Sequence, residues 1–337
     1  MAGVNVPTNQ VIREDLTGYI AGFNPELSGF VAHKVLPAKL VNEQDGVIYR
    51  IPAEAWLTTV DTERAAYGST SGSTYTKVPE TWKLVEYAHK EAWDTTDSRG
   101  YDSKQQADEI RAVRASGTIL RDYERKLAAR LFNETTFPLS GTTGFTASAL
   151  WTSFGTSTPV ADIQRAKQFI REKTGMEANM VVIPTVNVEA AANSANVLSR
   201  VSGYDPGTRS GTLNPALWSE LFGIPVDGII VPNAFNNTAN QNLALSTAPL
   251  WSANYVGVGV RNTSQDLELP QLGRSMMLSS EYQVTGVEAS STVTVEDAQI
   301  VIDEYSTADN KTNYTRATMT RAAKFFSTDC WVLIRVR

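Results

Sequence analysis

The sequence predicts an α+β fold with an extended arm and a long projecting hairpin, and three observations predict it. Residues 47–51 alternate as a strand and are answered by a run at 82–87, with a long polar excursion between them. Residues 102–133 place apolar side chains at three- and four-residue spacing, the mark of one long amphipathic helix. From 158 to 232 helical and strand patterns alternate, as in a compact α/β layer, and further strands close the chain.

Taken in order, residues 1–45 read as an irregular arm. Short apolar pieces are interrupted by Asn24-Pro25, Ser28-Gly29 and Asn42-Glu43, and no period is sustained. Such an arm buries little by itself and must lie against something else. Val47, Tyr49 and Ile51 then alternate with Ile48 and Arg50, and Trp82-Lys83-Leu84-Val85-Glu86-Tyr87 is the answering strand. The excursion from Ala53 to Glu80 carries Asp61-Thr62-Glu63-Arg64 and then Gly68-Ser69-Thr70-Ser71-Gly72-Ser73-Thr74. It holds too few apolar residues to fold on its own core, so it reads as a hairpin that contacts a neighbour, with an unstructured insertion as the alternative.

The helix at 102–133 starts at Asp102 or Ser103, with Gln105 or Gln106 three residues on to complete a capping box. Ile110, Val113, Gly117, Leu120, Leu127 and Leu131 fall on one face, and Asp122 and Lys126 make an i,i+4 pair. Its length is about 45 Å, the width of a small domain. The opposite face reads as an arginine strip of Arg111, Arg114, Arg121 and Arg125, diluted by Asp108, Glu109 and Glu124. Two readings stay open for this strip, a solvated face and an inter-subunit contact.

A Gly/Ser/Thr-rich stretch at 135–157 marks a boundary. Thr158 caps a helix opened by Pro159, with Ile163, Ala166 and Ile170 on one face and Gly175 at its end. The strand Met180-Val181-Val182-Ile183 follows, Pro184 stops it, and a helix runs from about Val186 to Arg200. After the loop Gly203–Gly211 come Leu217–Phe222 and the run Gly228-Ile229-Ile230-Val231-Pro232. Strands near 254–260, 276–284, 292–304 and 329–336 are expected to return and pair with the first sheet, which otherwise lacks partners.

Composition excludes several classes. A net charge of −6 and a pI near 5.2 argue against gripping nucleic acid through its phosphates, and such a balance is shared by many ordinary soluble proteins. The single cysteine, Cys330, excludes an intrachain disulfide and a multi-cysteine metal cluster, and its apolar surroundings read as a buried small hydrophobe. No run approaches the roughly 20 apolar residues that span a bilayer, so no membrane is expected. The first residues lack a basic region followed by an apolar core, which sets the expectation of a cytoplasmic location without a secretory signal.

No catalytic constellation emerges. His33 and His89 have no acidic or nucleophilic neighbour at a recognisable spacing, and both read as ordinary surface or interface residues. Gly68-Ser69-Thr70-Ser71-Gly72 has threonine where a nucleophile elbow needs serine. Gly257-Val258-Gly259 lacks the third glycine of a dinucleotide loop. Asp303-Glu304, and Asp94 with Asp97, lack the spacing of a calcium loop and read as solvated surface. No enzyme activity, metal or cofactor is expected.

The order of parts resembles the major capsid proteins of tailed phages, the Hong Kong 97-like capsid fold. Local sequence adds to the resemblance: Thr158-Pro159-Val160-Ala161-Asp162-Ile163 leading to Ala178-Asn179-Met180-Val181-Val182-Ile183-Pro184, the helix Val188–Val201, and Leu221-Phe222-Gly223-Ile224-Pro225-Val226 before Asn233-Ala234-Phe235-Asn236-Asn237. The resemblance implies an N-terminal arm (1–45), a peripheral domain (46–52 and 81–139) with a spine helix (102–133), and an extended loop (53–80). It further implies an axial domain (140–265) and returning strands of the peripheral domain (266–337). It implies self-assembly into hexamers and pentamers of an icosahedral head that encloses DNA without sequence-specific binding, built in a host cytoplasm and ending in the virion. Scaffolding, portal and decoration proteins are implied as further partners. The extended loop and the arm would each lie over a neighbouring subunit, with Asp61, Glu63, Arg64 and Lys77 of the loop at the contact.

Three alternatives differ in what they predict. An encapsulin-type compartment keeps the fold and holds protein cargo. A tail-tube or decoration protein would be smaller and β-rich. An α/β enzyme would show a pocket of convergent titratable groups.

Overall fold

Two sheets and one long helix organise the chain. The structure, a computed structural model, describes residues 11–21, 29–64, 68–94, 104–141, 143–201, 214–239, 243–264, 268–278, 300–306 and 312–337. The predicted cap at Asp102 or Ser103 and the loop Gly203–Gly211 lie outside these residues, as do parts of the strands expected at 276–284 and 292–304.

The arm is more regular than its sequence suggests. It forms β1 (Val11–Ile12), α1 (Glu14–Ala21), α2 (Ala32–Val35) and β2 (Ala38–Val41). Leu16, Ile20, Phe30, Val35 and Leu36 are all buried on the chain's own core. The described part of the arm therefore packs on its own chain. The pairs Leu16/Ile20 and Val31/Val35 have helical spacing, but each helix is too short to show a period.

β3 (Asp45–Arg50) and β4 (Val78–Lys83) form a separate two-stranded ribbon, and α3 (Ala53–Leu57) lies between them. The answering run predicted at 82–87 is divided. Trp82 and Lys83 close the ribbon, Leu84 turns inward, and β5 (Val85–Asp94) enters the large sheet. Buried Leu84 between two exposed neighbours lets one run of sequence serve two sheets.

The long helix is present as α4 (Lys104–Leu131). Its buried stripe is a series of doublets four residues apart: Ala107/Asp108, Arg111/Ala112, Ala115/Ser116, Ile119/Leu120, Tyr123/Glu124, Leu127/Ala128 and Leu131/Phe132. Ile110, expected inside, is 39% exposed. Arg111, Asp108 and Glu124 belong to the buried stripe and not to an outer strip. Its first half, from Ala107 to Ser116, is built from alanine, serine and a charged pair, which a hydropathy reading passes over.

The next segment is β6 (Gly144–Thr146), α5 (Pro159–Thr174), β7 (Met180–Val182), α6 (Thr185–Ala192), α7 (Ala195–Val201) and α8 (Pro215–Phe222). Thr158 precedes α5 without a side-chain cap bond, and its backbone carbonyl accepts from Asp162 N at 3.1 Å. The single helix expected from Val186 to Arg200 is two helices. Asn193 and Ser194 interrupt it, and the buried Ser194 hydroxyl donates to the Ser157 carbonyl at 3.0 Å, which turns the chain. The chain closes with β8 (Ile229–Ile230), β9 (Phe235–Asn237), β10 (Thr247–Pro249), β11 (Tyr255–Gly259), β12 (Gly273–Leu278), β13 (Val301–Ser306), β14 (Thr312–Phe325) and β15 (Trp331–Arg335).

The first sheet has the order β1-β13-β14-β12-β2, with β5 also paired to β14, so the arm supplies a strand at each end. The second has the order β6-β15-β11-β7-β8. The late strands thus divide. β12 and β13 return to the first sheet as expected and β14, a strand the sequence reading did not foresee, joins them at its centre, whereas β11 and the C-terminal β15 do not. Residues 331–334 are wholly buried, and β15 takes a central place between β6 and β11 with both faces covered. There Gly259 faces Trp331 in register, and an added Cβ at Gly257 would meet that indole at 2.0 Å. The glycines of Gly257-Val258-Gly259 make room for a tryptophan ring and have no part in phosphate binding.

Candidate assembly surface

The ribbon β3–β4 alternates cleanly. Its inner face, with Gly46, Ile48 and Trp82, closes on a small core of Trp82, Leu84, Met276 and Phe326. An added Cβ at Gly46 would meet the Trp82 ring at 2.7 Å, so only glycine lets that ring lie flat. Glu80 pairs with Lys324 of β14 at 2.8 Å, which fixes the root to the first sheet, and lies 3.9 Å from Arg50 within the ribbon. The outer face has no cover: Val47 is 50% and Tyr49 57% exposed. Beyond the root, Trp56, Leu57, Val60 and Tyr75 are also exposed, and the described residues of 58–77 form no helix or strand.

The structure brings Asp61, Glu63 and Arg64 together on this exposed excursion, where the Glu63 amide donates to Asp61 Oδ1 at 3.0 Å in a local turn. Lys77 stands apart at the far shoulder, its Nζ 3.0 Å from Glu268 Oε1, and that carboxylate raises the lysine pKa. The sequence reading missed Glu268, which lies 191 positions away. It also missed the exposed apolar residues Val47, Tyr49, Trp56 and Leu57, which it counted as strand or excursion.

A second feature joins arm, spine and α/β layer. Glu124 of α4, fully buried, accepts from the Val31 and Ala32 amides at 3.1 and 2.7 Å and from the Trp251 indole N–H at 2.6 Å. Burial pushes its carboxyl above the usual range, while these donors and the positive field of Arg321 oppose that shift. Close by, Arg321 lies over the Tyr123 ring at 3.7 Å and donates to the Ser275 hydroxyl at 2.7 Å. Three chain segments therefore meet at one carboxylate.

The remaining charges are largely matched within the chain. Arg111 pairs with Asp108 at 3.0 Å and stacks on Trp93, Arg114 lies 3.7 Å from Glu91, and Arg125 pairs with Asp122 at 2.6 Å. Asp303-Glu304, read as solvated surface, is an anchor for the arm. Glu304 pairs with Arg13 at 2.7 Å, and buried Asp303 pairs with Arg316 at 2.9 Å. Asp97 lies outside the described residues. Cys330 is buried, and burial pushes its thiol pKa up to about 12, which keeps it protonated and inert.

Among the described residues no group of three His, Cys, Asp or Glu could hold a metal ion, and no helix is long and apolar enough to cross a membrane. His89 lies 3.6 Å from Glu91 on an exposed part of β5, and His33 belongs to the short helix α2.

No family model matches the chain, and no curated protein matches it. Solved structures do. A phage-related protein from Bordetella bronchiseptica RB50 has a TM-score of 0.68 at 16% identity, covering 97% of this chain and 97% of that one. The capsid of cyanophage P-SCSP1u has a TM-score of 0.54 at 9% identity, covering 99% of this chain and 90% of that one. This is the Hong Kong 97-like capsid fold. A virus-like particle from Pyrococcus furiosus resembles it too, with a TM-score of 0.51 at 11% identity over 95% of this chain and 96% of that one.

Proposed function

We propose that this chain is a structural protein, not an enzyme, which assembles with copies of itself into hexamers and pentamers of an icosahedral phage head around double-stranded DNA. The observation that carries this reading is the uncovered ribbon. A projection bearing Val47, Tyr49, Trp56, Leu57 and Tyr75 in water has no reason to persist unless another surface covers it. The excursion, with Asp61, Glu63, Arg64 and Lys77, lies over a neighbouring subunit, and its charges set the register there. Residues 140–265 gather around the symmetry axes, where head-to-tail contacts close into rings. Many shallow contacts, repeated through a shell, give a cooperative container. A net charge of −6 keeps the wall from adsorbing its contents. Scaffolding, portal and decoration proteins are the heterologous partners of such a shell, with assembly in the host cytoplasm.

A second reading keeps the shell and changes its contents, an encapsulin-type compartment with protein cargo; the likeness to a virus-like particle from Pyrococcus furiosus supports a shell in either case. Sedimentation and negative-stain microscopy of the protein expressed alone test both. Closed particles, or rings of five and six, are expected. A chain that stays monomeric at every concentration, under crowding and when co-expressed with the other virion genes of its native source overturns the shell. Nuclease-protected DNA inside particles from the native source supports the head, and protein cargo supports the compartment.

A further inference from the structure

The exposed side of α4 carries a line of cations that the fold leaves only partly neutralised. Opposite the buried stripe, Arg114, Arg121, Arg125, Lys126 and Arg130 all face out. Positions 114, 118, 122, 126 and 130 form one row at four-residue spacing, and 121 and 125 stand in the row beside it. From Arg114 to Arg130 the ridge runs about 24 Å along the helix axis. Asp108 and Glu124, which dilute the strip in the sequence, are buried on the other side of the helix.

These five cations meet two carboxylates. Arg125 and Lys126 share Asp122 at 2.6 and 2.7 Å, and Arg114 lies 3.7 Å from Glu91. Among the described residues neither Arg121 nor Arg130 meets an acid, and Arg130 donates to the Ala323 carbonyl at 3.0 Å. Aromatic rings hold them instead. The Arg121 guanidinium lies 5.7 Å from the Phe30 ring centre and that of Arg130 4.3 Å from Phe325, while the Lys126 ammonium is 4.5 Å from Tyr87. A ring positions a cation and leaves its charge available to an anion. The ridge thus keeps a surplus of three positive charges in a chain whose 36 acidic residues outnumber its 30 basic ones.

We propose that this ridge of α4 is the face of the shell turned to its contents, where it holds the phosphates of duplex DNA without regard to sequence. The inference rests on the head reading and adds the surface that meets the genome. Two features choose DNA over a protein partner. Between Arg114 and Arg130 no large apolar side chain is exposed, whereas a protein interface is built around an apolar centre. A duplex presents one charge per about 1.7 Å of axis, a line of anions that suits cations strung along one helix. The net charge of −6 opposes the contact only at range, because salt screens it beyond about 8 Å and packed DNA touches the wall. A surplus of three charges gives a light, salt-sensitive hold, so the duplex stays free to slide and to leave.

Arginine modification by phenylglyoxal tests this on DNA-filled particles from the native source and on the same particles emptied of DNA, with the modified sites read by mass spectrometry. Arg121 and Arg130 are expected to react several-fold more slowly in the filled particles. Equal rates in the two overturn the contact: fast in both means a solvated face, and slow in both means a ridge covered by a neighbouring protein. In a second measurement the unassembled chain is titrated with a short fluorescein-labelled duplex at rising salt. Binding is expected at low salt, and Arg121→Gln with Arg130→Gln should lower the slope of log affinity against log salt by about two while shells still close. No binding by the native chain, or an unchanged slope in the folded variant, also overturns the contact. Each of these failures leaves the head reading standing. Particles that hold protein in place of DNA overturn the head reading, and the ridge contact with it.

Discussion

Replacing Glu124 with alanine leaves the Val31 and Ala32 amides and the Trp251 indole N–H without an acceptor where water does not reach. A loss of about 3 kcal/mol or more is expected, since each stranded donor carries a desolvation cost. Glu124→Gln keeps one acceptor oxygen and should cost less. Denaturant unfolding of the purified chain measures both, and equal stability of all three proteins would show that the junction is not held by this carboxylate. The helical pattern marks position 124 as one turn from the Leu127/Leu131 face, yet a glutamate there reads as solvent-facing. Its three donors come from segments far away in sequence, and no local signal announces them.

At the scale of elements, the excursion and the ribbon behave differently. The described residues of 58–77 have no backbone ladder and almost no buried side chains, so they open at little cost to the rest of the fold. Limited proteolysis of the unassembled chain should therefore cut first between Thr58 and Lys77, leaving the β3–β4 root and α4 associated. Within closed particles the same bonds should resist cleavage. Equal cutting rates in the two states would argue against a covered loop. The sequence showed this element well, because a long polar stretch between two strand runs is a local property. It showed the helix break at Asn193-Ser194 poorly, since the turn depends on a hydrogen bond to Ser157 across the fold.

For the whole molecule, assembly should separate from folding. The charges Asp61, Glu63 and Arg64 touch little of their own chain. Asp61→Lys with Glu63→Lys should leave the melting temperature within a degree or two, because exposed substitutions of this kind change stability by less than about 0.5 kcal/mol. The same pair should slow or block particle formation, as followed by light scattering, and added salt should reduce the difference by screening the contact. Unchanged assembly kinetics would remove these residues from the interface.

The order of elements, the length of the long helix α4 and the polar excursion were legible in the sequence, because each depends on spacing or composition within a few turns of chain. Gly175 as the end of α5 and the buried apolar run before Arg335 were legible for the same reason. The tertiary structure alone decided where strands went and which charges were buried. β15 left the first sheet for the second because both its faces are apolar, a fact that names its need but not its neighbour. Asp108, Arg111, Glu124 and Asp303 look like surface residues in one dimension. Asp108 and Arg111 pair with each other one turn apart, and Trp93 from another strand covers the guanidinium, whereas Glu124 and Asp303 are satisfied by groups on other elements, and such burial exists only once the chain has folded.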